Sequence, residues 1–518
     1  MAQFTKGGPF QKVLARTLQQ WVWSPSVEVG RRSIQKNVKR PVIVNTRSTD
    51  ILHDPWFNKG TAYPLSERDR LGLRGLLPPR IMSFEQQYDR FNGAEDMTAL
   101  AKWRIFNRLH DRNETLYYRV LISNIEQFAP IIYTPTIGLV CQRYSGLYRR
   151  PRGMYFTARD RGEMMSMVDM IVVTDGSRIL GLGDLVVQGI GIPIGKLDLY
   201  VAAAGINPQR VLPVMIDVGT NNQALLDNPQ LGTAGVALGG LLGAVRAMGK
   251  PMEDLVKQKI VVVGAGSAMQ MLLGGHSAET HKKAIDQFWI LDKDGLVTEA
   301  RDGLASDVEQ YAREIEEFER WCNVQKVKPD VLLGLSGVGG LFTQQVLEAM
   351  KESRSPSPAI FSLSNPTSNA ECTAKEAFQH AGPNIIFASG CPFRDVDLGG
   401  RVGHSNQGNN MYFPGIGLGT LMAGAHHISD GMVHAAAEEL AAIMTPEQLQ
   451  EGIIFPPVSR IREITARVAA AIVKEEVKED IAQGYKETDI KELKRIVQDD
   501  SELMKYIEGH MWMPGVRR

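Results

Sequence analysis

KIVVVGAGSA, Lys259–Ala268, is the stretch whose reading decides the fold. Ile260–Val263 is an unbroken β-branched run, the pattern of a strand buried on both faces, and it runs straight into a glycine-rich turn. In that turn Gly264 permits the tight reversal, and Gly266 lets the backbone approach a pyrophosphate at a helix N-terminus, with Ser267 beside it. Downstream, FWILDKDG (Phe288–Gly295) ends a second strand in Asp292, placed to accept from ribose hydroxyls. An acid there disfavours the 2′-phosphate of NADP, so NAD is the expected nucleotide. The fingerprint is incomplete. Met269 stands where its third glycine belongs, Gly274-Gly275 interrupts the packing helix, and Gly264 to Asp292 is longer than the usual interval of about 20 residues.

Further along, Val331–Leu335 runs into SGVGG, Ile360–Leu363 into SNPT and Ile385–Ala388 into SG. Short buried runs ending in turn residues and alternating with helical patterns predict parallel βαβ units. The fold class expected is therefore α/β, with a doubly wound Rossmann-type domain over residues 230–429. A helical or mixed substrate domain is expected over 48–229. It opens with a helix and a Pro-Pro turn over 64–80 and a helical pattern over 97–128. A helical segment, 430–518, closes the chain, with Ile461, Ile464, Val468 and Ile472 on one stripe.

Composition narrows the class. With 518 residues, 43% hydrophobic and 22% charged, the chain reads as globular and multidomain. Cys141, Cys322, Cys372 and Cys391 form no CxxC pair, against a disulfide framework or a zinc ribbon. The nearest approach to a membrane span, Leu231–Val245, is short and carries five glycines, so no membrane partner is expected. The net charge of zero hides an asymmetry: residues 1–47 hold nine Lys/Arg and one acid, Glu28. A basic head with Phe10, Leu14, Leu18 and Trp21 near helical spacing reads as a mitochondrial transit peptide. The alternative is a basic arm touching a nucleic acid or a partner, but the body is acidic and lacks interleaved aromatic and basic residues, so no nucleic-acid partner is expected.

Polar clusters sit where apolar runs end. IYTPT carries Tyr133, TDGSR presents Arg178 after the run Met170–Val173, and GIPIGK sets Lys196 among almost uncharged neighbours. SNPT offers Asn365, and NQGNN offers Asn409 and Asn410. Taken singly, each has a structural reading: a tyrosine capping a core, a turn, a helix cap.

Together, and in longer text, they resemble the malic enzymes, most closely the plant mitochondrial NAD-dependent type. The resemblance rests on IIYTPTIGLVCQRYSGLYRRPRGMYF (131–156), GIPIGKLDLYVAAAGINPQRVLPVMIDVGTNN (191–222), SNPTSNAECTA (364–374), NQGNNMYFPGIGLGT (406–420) and the nucleotide turn, and spans nearly all of residues 49–455. It implies oxidative decarboxylation of (S)-malate to pyruvate and CO₂ in the mitochondrial matrix, with NAD as acceptor, Mg²⁺ or Mn²⁺ as metal, and a homo- or hetero-oligomer. It implies Lys196 as general base and Tyr133 as general acid. Arg178, Asn365, Asn409 and Asn410 fall on substrate, and Gly264, Gly266, Ser267, Asp292 and Asn365 on the cofactor. It further implies an effector site at Arg90 and Arg112. An apolar setting suits Lys196 to its role, because burial lowers an amine pKa towards working pH.

The chain departs from that family in one respect that matters for chemistry. The family's metal carboxylates come from EDF and NDD motifs between VGTNN and GTAGVAL, and neither motif is present. Asp227 is the only acid between Asn222 and Gly232, so no residue here is assigned as a metal ligand. MSMVDMIVV and GAGSAMQMLL also join abruptly. Breaks with intact family text on both sides read as omitted internal segments. Two readings follow: an NAD-dependent malic enzyme whose complete form carries those segments, or a catalytically inactive member acting as a structural or regulatory subunit. Losing the first Rossmann helix is also expected to uncover one face of Ile260–Val263.

Overall fold

The structure, a computed structural model, describes residues 44, 46–92, 98–157, 169–176, 179, 185–217, 233–264, 287–292, 294–301, 304, 306–309, 311–313 and 323–514. The helical text of 97–128 folds as more than one helix: α1 (Ala99–Arg112), α2 (Glu114–Ser123) and the start of α3 (Ile125–Ile132). Asparagines make the breaks. The Asn113 side chain accepts from the Leu116 amide at 3.0 Å and so caps α2, and Asn124 stands before α3. After α4 (Thr136–Gln142) come β1 (Met154–Thr157), β2 (Met170–Thr174), α5 (Gly191–Ala204) and β3 (Val211–Asp217). The strands form a parallel sheet in the order β1-β3-β2, with Met154 opposite Val214 and Met170 opposite Val211. Helix α5 is buried on nearly every side, its sequence apolar apart from Lys196, Asp198 and the Tyr200 hydroxyl, and Gly205 ends it in the left-handed region at φ 63°.

Next come α6 (Thr233–Ala247), β4 (Ile260–Val263), β5 (Phe288–Asp292), β6 (Gly295–Leu296), β7 (Val331–Gly334), β8 (Ala359–Ser362), α7 (Ala374–Ala381), β9 (Ile386–Ser389) and β10 (Ser405–Gln407). They build a seven-stranded sheet in the order β10-β9-β8-β7-β4-β5-β6. All its pairings are parallel except β5–β6. Strand order reverses between β4 and β7, which is the switch point where open α/β sheets bind ligands beyond the carboxyl ends of their strands. Beyond the sheet lie α8 (Pro414–Ala423), α9 (Asp430–Ala442), α10 (Ile461–Lys478), α11 (Ile490–Ile496) and α12 (Asp500–His510).

Alternation along the strands sends residues to two cores. Ile260, Val262, Ile290, Leu333 and Phe361 join one cluster with Leu241 of α6, Met432 and Leu440 of α9, and the α10 stripe Ile461, Ile464, Val468 and Ile472. Val261, Val263, Leu332, Ile360 and Phe387 join the other with Val324, Leu347 and Phe378. Strand β4 is therefore buried on both faces, contrary to the expectation of an uncovered one. Neighbouring strands and the side chains of 324–350 and α7 close over it.

Candidate active site

Tyr133 caps the C-terminus of α3, its amide donating to the Ala129 carbonyl, and only 2% of the residue is exposed. Its hydroxyl meets the Asn410 side chain, and burial is the main cause pushing its pKa well up, with nearby Tyr200 adding to it. Next to it, Thr134 Oγ1 accepts from Asn409 Nδ2 at 2.8 Å. The same Asn409 nitrogen donates to the Gly390 carbonyl at 2.9 Å. Residues 133–134 and 409–410, far apart in sequence, thus form one contact. Gly390 extends it: a Cβ there would come within 2.6 Å of Asn365 Nδ2. Asn365 donates to the Leu363 carbonyl and accepts from Cys391 Sγ at 2.9 Å. Tyr133, Asn365, Asn409 and Asn410 therefore lie in one continuous chain of contacts. The Asn409 Oδ1 atom is buried without a hydrogen-bond partner among the described residues.

Lys196 lies on α5, which approaches closely because a Cβ on Gly195 would lie 2.7 Å from the Ile132 carbonyl. That contact sets the lysine's helix against the residue preceding Tyr133. One turn on, Tyr200 acts on Tyr133 and packs its ring against Gly417 of α8. Burial pushes the Lys196 amine below its ordinary pKa, the direction a general base requires. The mostly apolar sequence around Lys196 made this environment legible in advance.

At the sheet's switch point, Gly264 has φ 119° and its amide donates to the Leu291 carbonyl at 2.7 Å. A side chain is excluded twice over: the backbone angle is one L residues rarely adopt, and a Cβ would lie 2.6 Å from the Leu335 carbonyl oxygen. A cradle that admits only glycine at the end of the central strand fits a dinucleotide's phosphates. Asp292 ends β5, as read from the sequence, and is gripped bidentately by Arg301 at 3.0 and 2.6 Å. Arg178, Gly266 and Ser267 lie outside the described residues.

Two site residues escaped the sequence reading. Glu371 is wholly buried, and its carboxylate accepts from the Ser336 amide and hydroxyl and from the Ser362 and Ser364 hydroxyls. It thereby ties the loops after β7 and β8 together beneath Asn365. Cys391 holds the Asn365 side chain itself. An acid in a polar turn carries no signal that separates this role from a solvated one.

No metal site converges. Among the described residues there is no group of three or more His, Cys, Asp and Glu side chains able to hold a metal ion. Asp227 lies outside the described residues. A hard divalent cation needs several oxygen ligands, so the donor set among the described residues does not fit the metal that the resemblance implies.

Two family signatures match the chain, "Malic enzyme, N-terminal domain" over residues 110–237 and "Malic enzyme, NAD binding domain" over residues 231–477. The chain belongs to the malic enzyme family. Among malic enzymes it is 54% identical to a mitochondrial NAD-dependent malic enzyme of Solanum tuberosum, over 579 positions and 92% of each chain. It is 53% identical to NAD-dependent malic enzyme 1, mitochondrial, of Arabidopsis thaliana, again over 92% of both. An NADP-dependent malic enzyme of Dictyostelium discoideum is 38% identical, over 84% of this chain and 94% of its own. The malic enzyme of Entamoeba histolytica shares the fold, with a TM-score of 0.51 at 20% identity over 85% of this chain and 92% of its own. In the Solanum alignment, 92% of this 518-residue chain supplies about 477 residues, so about 100 of the 579 positions fall opposite gaps. That matches the omitted internal segments inferred from the abrupt joins.

Proposed function

We propose that the site performs NAD-dependent oxidative decarboxylation of malate to pyruvate and CO₂ in mitochondria, a reading supported by plant relatives that are named mitochondrial NAD-dependent malic enzymes. The observation that carries the reading is a partly buried lysine with a lowered pKa on a helix packed beside Tyr133, which itself lies in the Tyr133–Asn410 and Asn409–Asn365 chain of contacts. NAD, when bound, supplies the hydride acceptor, and Gly264 and Asp292 are the residues on this chain suited to hold it. Lys196, its amine pushed below its ordinary pKa by burial, takes the proton of the C2 hydroxyl as that carbon is oxidised. After CO₂ leaves, Tyr133 gives its proton to C3 of the enolate, and a pKa held well up keeps that proton on the phenol until then. Asn365, Asn409 and Asn410 supply amide hydrogen bonds to the substrate, and Arg178 a bidentate grip on a carboxylate.

Among the described residues no carboxylate set could hold a divalent metal, and the sequence between Asn222 and Gly232 carries neither EDF nor NDD. Turnover by this chain is therefore expected to fall well below that of the same chain carrying its relatives' segment between Asn222 and Gly232. The test is production of NADH and pyruvate from malate by both forms in Mn²⁺. Equal amounts of the two products support the reading. No product from either form refutes it and favours a subunit without turnover.

A further inference from the structure

A second polar site lies on the far side of α5 from its catalytic residues. His110 of α1, Glu114 and Tyr118 of α2, Arg150 and Arg152 of the loop before β1, and Asp198 of α5 line one side of a cavity of about 210 Å³. Ile194, Leu197, Val211, Pro208 and Pro213 form the other, apolar, wall. A water needs only about 10–15 Å³ of such volume, so there is room for a small organic molecule.

The polar wall is incompletely satisfied. Asp198 is saturated by the Tyr117 and Tyr118 hydroxyls, at 2.8 and 3.1 Å, and by Arg152 at 3.4 Å. Arg152 also donates to Asn107 at 2.8 Å, which leaves its Nε without a partner among the described residues. Arg150 is held by Asp111 through Nε alone, so both its terminal nitrogens are open among the described residues. His110 is 9% exposed, and its Nδ1 has no hydrogen-bond partner among the described residues. Burial keeps that imidazole neutral by pushing its pKa well down, with Arg152 and Arg150 adding to the effect.

We propose that this cavity binds a short aliphatic monocarboxylate, with its carboxylate on Arg150 and Arg152 and its chain against Ile194, Leu197 and Val211. Two guanidiniums exclude a cation. A phosphate dianion would meet Asp198 and Asp111 and would leave the apolar wall in contact with water. Arg112, one of the arginines implied by resemblance for an effector site, does not line the cavity.

Glu114 couples the site to pH. Burial pushes its carboxyl up to about 7, Arg152 and Arg150 pull it down, and Asp198 and Asp54 raise it; His110 Nε2 lies 3.6 Å away. A bound carboxylate is repelled by ionised Glu114 and accepted by the protonated form. Affinity should therefore fall about tenfold between pH 6 and pH 8 as Glu114 ionises.

Butyrate titrated calorimetrically into the whole chain tests this. The expected result is saturable one-to-one binding, weakened at least tenfold by Arg150→Met and unaltered by Lys196→Ala. Arg150 is a half-exposed side chain, so its replacement leaves the core intact. With Glu114→Gln, affinity should be the same at pH 6 and pH 8. Absence of saturable binding, indifference to Arg150→Met, or loss of binding on Lys196→Ala would each overturn the proposal.

Discussion

Replacing Glu476 by glutamine should stabilise this protein, and by an amount that grows with pH. Glu476 sits on α10 with no exposed surface, and among the described residues neither carboxylate oxygen has a partner in hydrogen-bonding geometry. Burial pushes its pKa from the ordinary 4.5 up to about 8, with Thr420 of α8 opposing and Glu479 adding to the rise. A folded-state pKa above the unfolded one means that stability is fully present below about 4.5 and is lost as pH climbs through about 8. The difference corresponds to about 5 kcal/mol once the group is ionised in both states, and about 4 kcal/mol of it falls between pH 5 and pH 9. That is a large fraction of an ordinary stability of about 5–15 kcal/mol. Urea unfolding of parent and variant, followed by tryptophan fluorescence at intervals across that range, isolates the effect. Other titrating groups, Glu114 among them, are common to both proteins and cancel in the difference. A gap that stays constant within about 1 kcal/mol from pH 5 to pH 9 would refute the argument that Glu476 is held unpaired in the α8–α10 interface.

Three further outcomes follow from the site. Lys196→Ala should lower malate oxidation by roughly 10²–10⁴-fold while NAD binding, read by fluorescence titration, stays unchanged; unaltered turnover would remove Lys196 from the mechanism. Asp292→Ser should erode the preference for NAD over NADP, because it frees Arg301 to meet a 2′-phosphate. A ratio of kcat/KM values for the two nucleotides that does not move would mean that β5 does not face the ribose. Gly264→Ala should weaken NAD binding and destabilise the sheet by about 1–3 kcal/mol, since the new methyl meets the Leu335 carbonyl; an unchanged NAD affinity and unfolding midpoint would contradict the cradle.

Where the chemistry of a segment is local, the sequence carried it. The runs beginning at Ile260, Phe288, Val331 and Ile360, and that at Ile385, fall on β4, β5, β7, β8 and β9 within a residue at either end. Buried β-branched runs leave few alternatives to a parallel strand. The strand Ser405–Gln407 escaped notice because it is short and polar, and owes its place to pairing with β9. The breaks at Asn113 and Asn124 were hidden beneath an apolar periodicity that continues across all of residues 97–128. At the site, the environment of Lys196 was legible from its neighbours. The meeting of Thr134 with Asn409 was not, because no local pattern encodes a contact between residues 275 apart. Glu371 and Glu476 show the same limit from the other side: a carboxylate within a turn or a helix reads as solvated, and only tertiary packing buries it.

The measurement that bears most directly on the whole account is the product balance from malate and NAD in Mn²⁺, with the chain as it stands and with its relatives' segment restored between Asn222 and Gly232. The account predicts pyruvate, CO₂ and NADH in equal amounts, slow for the first form and fast for the second, and all three lost in Lys196→Ala. Lactate without net NADH, or malate left untouched by both forms, would contradict it.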